Sequence, residues 1–387
     1  MLAMSQSISQ LGSLLTNFAV SWILISDEGS SGWLAAYLAY SVFLYAVFSL
    51  VAGRILDRWD RRKAIAISEF VAALTLGCLA VAEWFGVSGR VLYFGASFVA
   101  QLCGTLVMVG TQAVIGDFGA GSEAARVQSG FDVLRRTFTA GGPVLAGLLV
   151  AALPKWGVFA LDSLTYLISM AGALLFIPVS AQPPAASPEP LRSKLLPKFT
   201  RAPGLDAMIG VAVGVNLVYA PVLILWPLLA KDLSGGPVLM GVLSGSFLAG
   251  SIAGGLWVMR DRSVDLWSRV NRALLLVAGA FILLAATSKL SAALLWCPAF
   301  MLGMGFGLVS GPIMGIIHML LPINEKGAFF GWLGFVGQIG QPAAIALCGL
   351  IAMKAGSGAV LISAAGGALA AAFLFRKARR DQFQQMA

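Results

Sequence analysis

Long apolar runs of similar length dominate this sequence and limit its possible folds more than any other feature. About 20 helical residues, each rising 1.5 Å, are needed to cross the ~30 Å hydrocarbon core of a bilayer. The runs are far longer than the 9–11 residues of a transmembrane barrel strand, and they do not alternate polar and apolar residues. They therefore predict an all-α integral membrane protein with twelve transmembrane helices. The predicted spans are approximately 3–26, 32–52, 64–86, 90–114, 126–153, 157–178, 206–230, 237–259, 270–288, 291–320, 327–353 and 358–375.

The composition excludes a soluble protein. Only 11% of the 387 residues are charged, whereas soluble globular proteins carry about a quarter. With 59% hydrophobic residues, a fold in water would expose apolar patches large enough to aggregate. The four cysteines lie within predicted spans and there is one histidine, so neither a metal site nor a cofactor is expected.

The distribution of Lys and Arg predicts the orientation of the chain in the membrane. If the N-terminus is cytoplasmic, most of the 26 basic residues lie in cytoplasmic loops or in the C-terminal tail. This matches the tendency of Lys and Arg to remain on the cytoplasmic side. Both termini are therefore predicted to be cytoplasmic. The net charge of +9 is explained by contact with anionic membrane lipid, so no nucleic-acid partner is expected.

A proline-rich segment divides the predicted spans into two sets of six. Seven of the 16 prolines lie between Pro178 and Pro203, a composition typical of an aqueous linker. We therefore predict an N-terminal six-helix bundle over 1–178, a cytoplasmic linker over 179–205 and a C-terminal six-helix bundle with a basic tail over 206–387. Short sequence matches between the halves, at offsets near 200 residues, indicate a parallel repeat of the kind found in transporters.

The loop after the second predicted span carries the most distinctive local pattern, from Gly53 to Lys63. It resembles the signature of the major facilitator superfamily, Gly-x-x-x-Asp-Arg-x-Gly-Arg-Arg/Lys, and it has Asp60 where the family usually has Gly. This variant is similar to the branch that contains macrolide-efflux proteins and the enterobactin exporter. The resemblance implies that the charged cluster forms a gate between moving parts; the alternative is a basic loop that only sets topology. The motif positions are Gly53, Asp57, Arg58, Asp60, Arg61 and Arg62.

A second motif lies in the fifth predicted span. Gly142, Pro143 and Gly147 resemble the Gly-Pro motif of exporters in the same superfamily. Glycine permits close helix packing, and proline removes a backbone hydrogen bond and bends a helix. Further similar segments extend the resemblance over nearly the whole chain. It implies a multi-pass protein of the bacterial cytoplasmic (inner) membrane that functions as a monomer.

Polar residues recur at helical spacing in four of the predicted spans. Amide side chains are unfavourable against lipid, so each stripe is expected to face the protein interior. Interhelical hydrogen bonding, worth about 0.6 kcal/mol on average, is the alternative role for each residue. Taken together, the stripes predict a substrate cavity. The candidate cavity residues are Gln10, Asn17, Gln101, Thr105, Gln112, Asn216, Tyr219, Trp226, Gln338 and Gln341.

Charged residues inside the predicted spans are candidates for proton coupling. An unpaired charge at the centre of a membrane helix costs about 2.5–3.5 kcal/mol on insertion scales, so such residues require a partner, water or a bound proton. Asp132 has Arg135 and Arg136 within one helical turn, which also fits a static salt bridge. Glu69 has an alternative role in the nearby basic cluster, and Asp162 has one as a packing acceptor. The coupling candidates are Asp162, Glu69, Asp132, Arg135 and Arg136.

These features predict a secondary transporter and no catalytic residues, because the sequence has no nucleophile–base pair, metal cluster or phosphate-binding loop. The resemblance implies alternating-access export of a small amphipathic compound, such as a macrolide or a siderophore, by proton antiport. An importer or a lipid flippase on the same scaffold is one alternative. A membrane receptor or scaffold that no longer transports is another, although polar stripes and a charged gate would serve no purpose in a static protein.

Overall fold

The structure, a computed structural model, describes residues 2–26, 30–56, 59–117, 140–177, 205–260, 266–320, 338 and 340–386. Within these ranges the chain is almost entirely α-helical and contains no strand. In the first half the helices are α1 (Leu2–Ser26), α2 (Ser31–Leu56), α3 (Arg61–Trp84), α4 (Arg90–Asp117), α5 (Ala140–Ala152) and α6 (Lys155–Phe176). In the second half they are α7 (Leu205–Asp232), α8 (Gly236–Arg260), α9 (Leu266–Thr287), the 3₁₀ turn Ala292–Leu294, α10 (Trp296–Leu320) and α11 (Gln341–Met386).

The number of spans agrees with the prediction once α11 is divided. Ten helices in the described residues are long and apolar enough to cross a membrane, and α5 is a shorter apolar helix. The apolar part of α11 covers 36 residues, or about 54 Å, which is nearly twice the thickness of the hydrocarbon core. Non-helical geometry at Gly356 (φ 76°, ψ 179°) divides α11 into two arms, in a conformation that favours glycine. When the two arms of α11 are counted separately and α5 is added, the ten helices become twelve, which is the predicted number. The predicted all-α fold is confirmed.

Packing divides the chain into two compact units. The first unit is Met1–Glu28 with Tyr40–Pro188, and the second unit is Gly29–Ala39 with Glu189–Ala387. The predicted linker over 179–205 lies outside the described residues except for Leu205, the first residue of α7. The domain limits therefore stay a prediction.

In the first unit, α6 runs antiparallel to α3. The Ser163 hydroxyl donates to the carbonyl oxygen of Ala73 at 2.7 Å. Near the other end of α6, the Arg62 guanidinium donates to the carbonyl oxygen of Leu174. Residue numbers thus rise along one helix as they fall along the other, and α1 packs against the same helix α6. The polar side chains of α1, α3 and α6 are thereby brought into one interior.

In the second unit, α8 and α10 pack at backbone distance. A Cβ atom on Gly303 would lie 1.8 Å from the carbonyl oxygen of Phe247, and one on Gly250 would lie 2.0 Å from the carbonyl oxygen of Phe300. Small residues allow membrane helices to approach this closely, and van der Waals contact then stabilises the pair. The interior of the second unit is therefore built on a glycine-lined helix contact.

Candidate functional site

A polar cavity lies inside the first unit, between α1, α2, α3, α4 and α6, with a volume of about 290 Å³. We call it the acidic cavity because both buried carboxyl groups of the described residues, Glu69 and Asp162, line it. Its other polar lining residues are Gln6, Ser7, Ser9, Gln10, Ser13, Thr16, Asn17, Tyr45, Ser97, Gln101, Thr105, Thr111 and Tyr166. Four predicted cavity residues, Gln10, Asn17, Gln101 and Thr105, are therefore placed together with two predicted coupling residues.

The Glu69 carboxyl group is fully buried and accepts hydrogen bonds at both oxygens. Oε1 accepts from the Ser169 hydroxyl at 2.5 Å and from the Gln6 amide at 3.4 Å, and Oε2 accepts from the Ser9 hydroxyl at 3.2 Å. The Gln6 amide also donates to Ser169 at 3.0 Å, and its carbonyl oxygen accepts from Thr111 at 3.4 Å. Each partner is a neutral side chain. Glu69 is thus held by an amide and hydroxyl network that joins four helices.

The Asp162 carboxyl group is also fully buried, but it has fewer partners. Oδ1 accepts from the Thr165 hydroxyl at 3.1 Å. Oδ2 has no hydrogen-bond partner in the described part of the chain, and neither does the buried hydroxyl of Thr16. Thr16 and Thr165 both face the carboxyl group, but only Thr165 has both the distance and the angles of a hydrogen bond. Gly12 makes room for this arrangement, because a Cβ there would lie 2.1 Å from both Asp162 Oδ1 and Thr165 Oγ1.

No Lys, Arg or His is found among the described residues that line the acidic cavity. A buried charge that has lost its partner is costly, since desolvation is then uncompensated. The two carboxyl groups are therefore stable in the cavity only when they are protonated or when a cationic ligand balances their negative charge. Chemically, the arrangement is suited to exchanging cations.

Some polar residues of α1 are satisfied by their own helix. The Asn17 amide donates to the carbonyl oxygen of Ser13 at 2.8 Å, and the Ser21 hydroxyl donates to that of Asn17 at 2.7 Å. The Ser13 hydroxyl contacts both the carbonyl oxygen of Ser9, at 3.0 Å, and the Tyr166 hydroxyl, at 2.8 Å. Asn17 therefore lines the cavity but already has a partner for its amide protons.

Comparison with known proteins explains this architecture. The family model of the Major Facilitator Superfamily matches residues 2–345. The chain belongs to this superfamily. Macrolide efflux protein A of Streptococcus pyogenes is 21% identical over 364 residues, covering 91% of this chain and 88% of that protein. Its likeness agrees with the motif variant that contains Asp60.

Solved structures show the same fold at low sequence identity. A POT family transporter in complex with 5-aminolevulinic acid has a TM-score of 0.76 and 11% identity, covering 96% of this chain and 94% of that chain. The human organic anion transporter MFSD10 has a TM-score of 0.62 and 15% identity, covering 96% of this chain and 99% of that chain. The family match and the apolar helices together make the protein a multi-pass membrane transporter of the Major Facilitator Superfamily, and such a transporter binds small-molecule substrates.

The structure gives Asp60 of the superfamily motif a local role. Its carboxylate accepts from the backbone N–H groups of Arg62 and Lys63 at 2.9 and 3.2 Å, and so caps the N-terminus of α3. Side-chain caps of this kind stabilise a helix by about 1 kcal/mol. Arg62, as described above, bonds to the end of α6. Gly53 lies in α2, whereas Asp57 and Arg58 lie outside the described residues. Arg61 is half-buried at the start of α3.

The Gly-Pro motif lies at the contact between α5 and α1. A Cβ on Gly142 would lie 3.1 Å from a methyl group of Leu14 and 3.2 Å from one of Leu11. Pro143 and Gly147 are buried in the same helix. The other charged candidates of this region, Asp132, Arg135 and Arg136, lie outside the described residues.

The candidate cavity residues of the second half lie in a different setting. The Gln341 amide donates to Asn216 Oδ1 at 3.3 Å, which joins α11 to α7. Tyr219 and Trp226 belong to an aromatic cluster with Phe247 and Phe306, with ring centroids 5.4–6.0 Å apart. Gln338 is half-buried, and the side chain of Gln112 in α4 lies outside the described part.

Several residues of the acidic cavity and of the Glu69 hydrogen-bond network were not among the sequence candidates. Tyr166 and Ser169 follow Asp162 by four and seven residues, so all three lie on one face of α6. That spacing is a usable signal in the sequence. Ser9 and Thr16 on α1 carry no such signal, because hydroxyl side chains are ordinary in membrane helices and usually bond to their own backbone.

Proposed function

We propose that this transporter is a secondary active exporter of a small amphipathic compound, driven by proton antiport through the acidic cavity. The observation that carries the proposal is the burial of Glu69 and Asp162 in one cavity with no described basic side chain in its lining. Two carboxylates cannot both stay charged in such a place without a cation, so proton uptake and release are the simplest way to balance them. A proton-driven cycle needs groups of this kind.

The proposed direction of transport and the proposed class of cargo are supported by the relative and by the motifs. The name of the Streptococcus protein assigns it efflux of macrolides, and the likeness spans most of both chains. Gly142, Pro143 and Gly147 resemble the motif of superfamily exporters. We therefore propose export, with both termini and the 179–205 linker in the cytoplasm of a bacterial cell. In this scheme Asp57, Arg58 and Arg61 form the gate, and Asp60 keeps the first turn of α3 in place.

Transport in proteoliposomes tests the proposal. Purified protein is reconstituted, a proton gradient is imposed and uphill movement of radiolabelled erythromycin is followed. We expect Glu69→Gln and Asp162→Asn each to reduce gradient-driven transport at least tenfold, because a neutral amide cannot carry a proton. Asp132→Asn is included because its side chain is the third coupling candidate.

Glu83→Gln is the matched control. Glu83 is also a carboxyl group on α3, but it lies near the other end of the helix and bonds to the Tyr93 hydroxyl at 2.6 Å, away from the acidic cavity. It is expected to keep normal transport. Full, pH-dependent uphill transport in all three carboxyl variants of the candidates would show that protons are not coupled through these groups.

A further inference from the structure

Two buried oxygen atoms in the acidic cavity lack hydrogen-bond partners among the described residues, and they lie on facing helices. They are Oδ2 of Asp162 on α6 and Oγ1 of Thr16 on α1. Asp162 is fully buried and Thr16 is 6% exposed, and both line the cavity. Buried polar atoms normally have a hydrogen-bond partner, and leaving one without a partner is unfavourable. The two oxygen atoms are therefore available to accept hydrogen bonds from a donor that is not part of the protein.

The two carboxyl groups of the cavity are not equally available to such a donor. Glu69 receives hydrogen bonds from Ser169, Gln6 and Ser9, which occupy both of its oxygens. Asp162 accepts a hydrogen bond from Thr165 at Oδ1, and its Oδ2 accepts none from the described residues. A ligand would have to break this network to bond to Glu69, whereas Asp162 Oδ2 is buried but has no hydrogen bond that must first be broken.

We infer that Asp162 Oδ2 and Thr16 Oγ1 form the docking point for a protonated amine on the transported compound. This inference rests on the proposed function, because it names the chemical class of the cargo at the same site. An ammonium group supplies N–H donors for both oxygens, and its positive charge is complementary to a cavity whose described lining is acidic. An anionic group would meet only like charge at this position.

The size of the cavity indicates how much of the cargo it holds. A volume of about 290 Å³ is at the lower limit of the pockets that enclose drug-sized ligands, about 300–1,000 Å³. The cavity therefore encloses a small amine or the amine-bearing arm of a larger molecule. On the α4 side its lining includes Val107 and Met108, and the Tyr45 hydroxyl contacts the Met108 sulfur at 3.9 Å. This side offers a polarisable, apolar surface to the carbon skeleton next to the amine.

Equilibrium binding with a matched pair of probes tests the inference. Monodansylcadaverine carries a primary amine that is protonated at neutral pH, and its N-acetyl derivative has the same fluorophore and chain without the charge. Binding of each to the full-length protein in detergent is measured by fluorescence anisotropy, with no proton gradient present. We expect the wild type to bind the amine at least tenfold more tightly than the acetylated probe. Equal affinities for the two probes would overturn the inference.

Substituted variants of the protein then show which residues cause the preference for the amine over the acetylated probe. Asp162→Asn should bring the two affinities within about twofold of each other, and Thr16→Val, which keeps the shape of the side chain, should reduce the preference about threefold. Glu83→Gln, outside the cavity, should behave as wild type. Retention of the full preference by a correctly folded Asp162→Asn protein would place the amine elsewhere and overturn the inference. Should that variant not fold, an unchanged preference in Thr16→Val would do so.

The same probes separate this inference from the proposed function. Gradient-driven transport of the acetylated probe at the rate of the amine, with equal binding of both, would contradict the amine site and leave proton-driven export standing. Tight, Asp162-dependent amine binding without any gradient-driven transport would support the amine site and contradict proton-driven export.

Discussion

The interiors of the two units differ in kind although both are bundles of apolar helices. Of the buried polar side chains in the described residues, all but Arg269 and Gln341 lie in the first unit. The interior of the second unit is instead formed by backbone contact between α8 and α10 and by the aromatic cluster around Phe247. The interior of the first unit thus contains two buried carboxyl groups, whereas the described interior of the second unit contains none and is closely packed. The two units therefore differ in the kind of interior that they contain.

The largest expected effect is on stability of the second unit. In Gly303→Ala the new methyl group would lie 1.8 Å from the carbonyl oxygen of Phe247, so α8 and α10 must separate along their contact. Overpacking usually costs about 1–3 kcal/mol, and we expect about 3 kcal/mol or more here because the obstacle is backbone. Thermal unfolding in detergent, followed by intrinsic fluorescence, measures the loss.

Gly279→Ala in α9 is the matched control for this substitution. No atom lies within 4 Å of the position that its Cβ would take, so only the higher helix propensity of alanine should act. Its melting temperature should equal or exceed that of the wild type. If Gly303→Ala were as stable as Gly279→Ala, the second unit would not depend on close backbone packing.

A glycine substitution in the first unit should act differently. In Gly12→Ala the Cβ would lie 2.1 Å from Asp162 Oδ1 and from Thr165 Oγ1, which are side-chain atoms that can move. We expect a loss of about 1–3 kcal/mol in unfolding free energy and at least a tenfold loss of amine binding, since the carboxyl group is displaced. Binding and thermal unfolding are measured on the same preparation.

Gly95→Ala in α4, where no atom lies within 4 Å of the new Cβ, is the control and should change neither quantity. The comparison between the units would be weakened if Gly12→Ala lost stability as severely as Gly303→Ala while keeping its affinity for the amine. In that case the glycine of the first unit would serve packing and not the position of Asp162.

The smallest expected effect concerns the polar pair of the second unit. Gln341→Leu removes the hydrogen bond to Asn216 Oδ1 between α11 and α7. Interhelical hydrogen bonds in membranes contribute about 0.6 kcal/mol on average, so a shift of that order in unfolding free energy is expected. Amine binding should be unaffected. A loss of binding comparable with that of Asp162→Asn would show that the second unit takes part in recognition.

The helices were predictable because a bilayer leaves few alternatives. Every span must satisfy its own backbone, so each apolar run of sufficient length becomes a helix. The end points were less predictable: the run at 291–320 begins with a 3₁₀ turn before α10 starts at Trp296, and α11 passes with a break at Gly356 through a predicted loop. Local capping and backbone conformation, which hydropathy does not contain, decide these positions.

The site was predictable at its charged residues and at four polar lining residues, Gln10, Asn17, Gln101 and Thr105. Glu69 and Asp162 stand out because carboxyl groups are rare inside apolar spans. Ser9 and Thr16 do not stand out, since their role depends on the rotation of α1 and α6 against each other. The sequence also left open whether Glu69 belongs to the basic cluster near Lys63; the structure places its carboxyl group against Ser169, Gln6 and Ser9. Its role in coupling stays a prediction.

The antiparallel arrangement of α3 and α6 orders the two carboxyl groups by depth. Glu69 contacts Ser169, whereas Asp162 precedes Ser169 by seven residues, which places it about 10 Å further along α6, towards Lys155. A cation that moves along the helix axes from the Asp60 end would therefore meet Glu69 first. Tyr166, bonded to Ser13, lies between the two levels. The two carboxyl groups thus lie at different depths along the helix axes, and a cation bound at one lies about 10 Å, or nearly two helical turns, from the other.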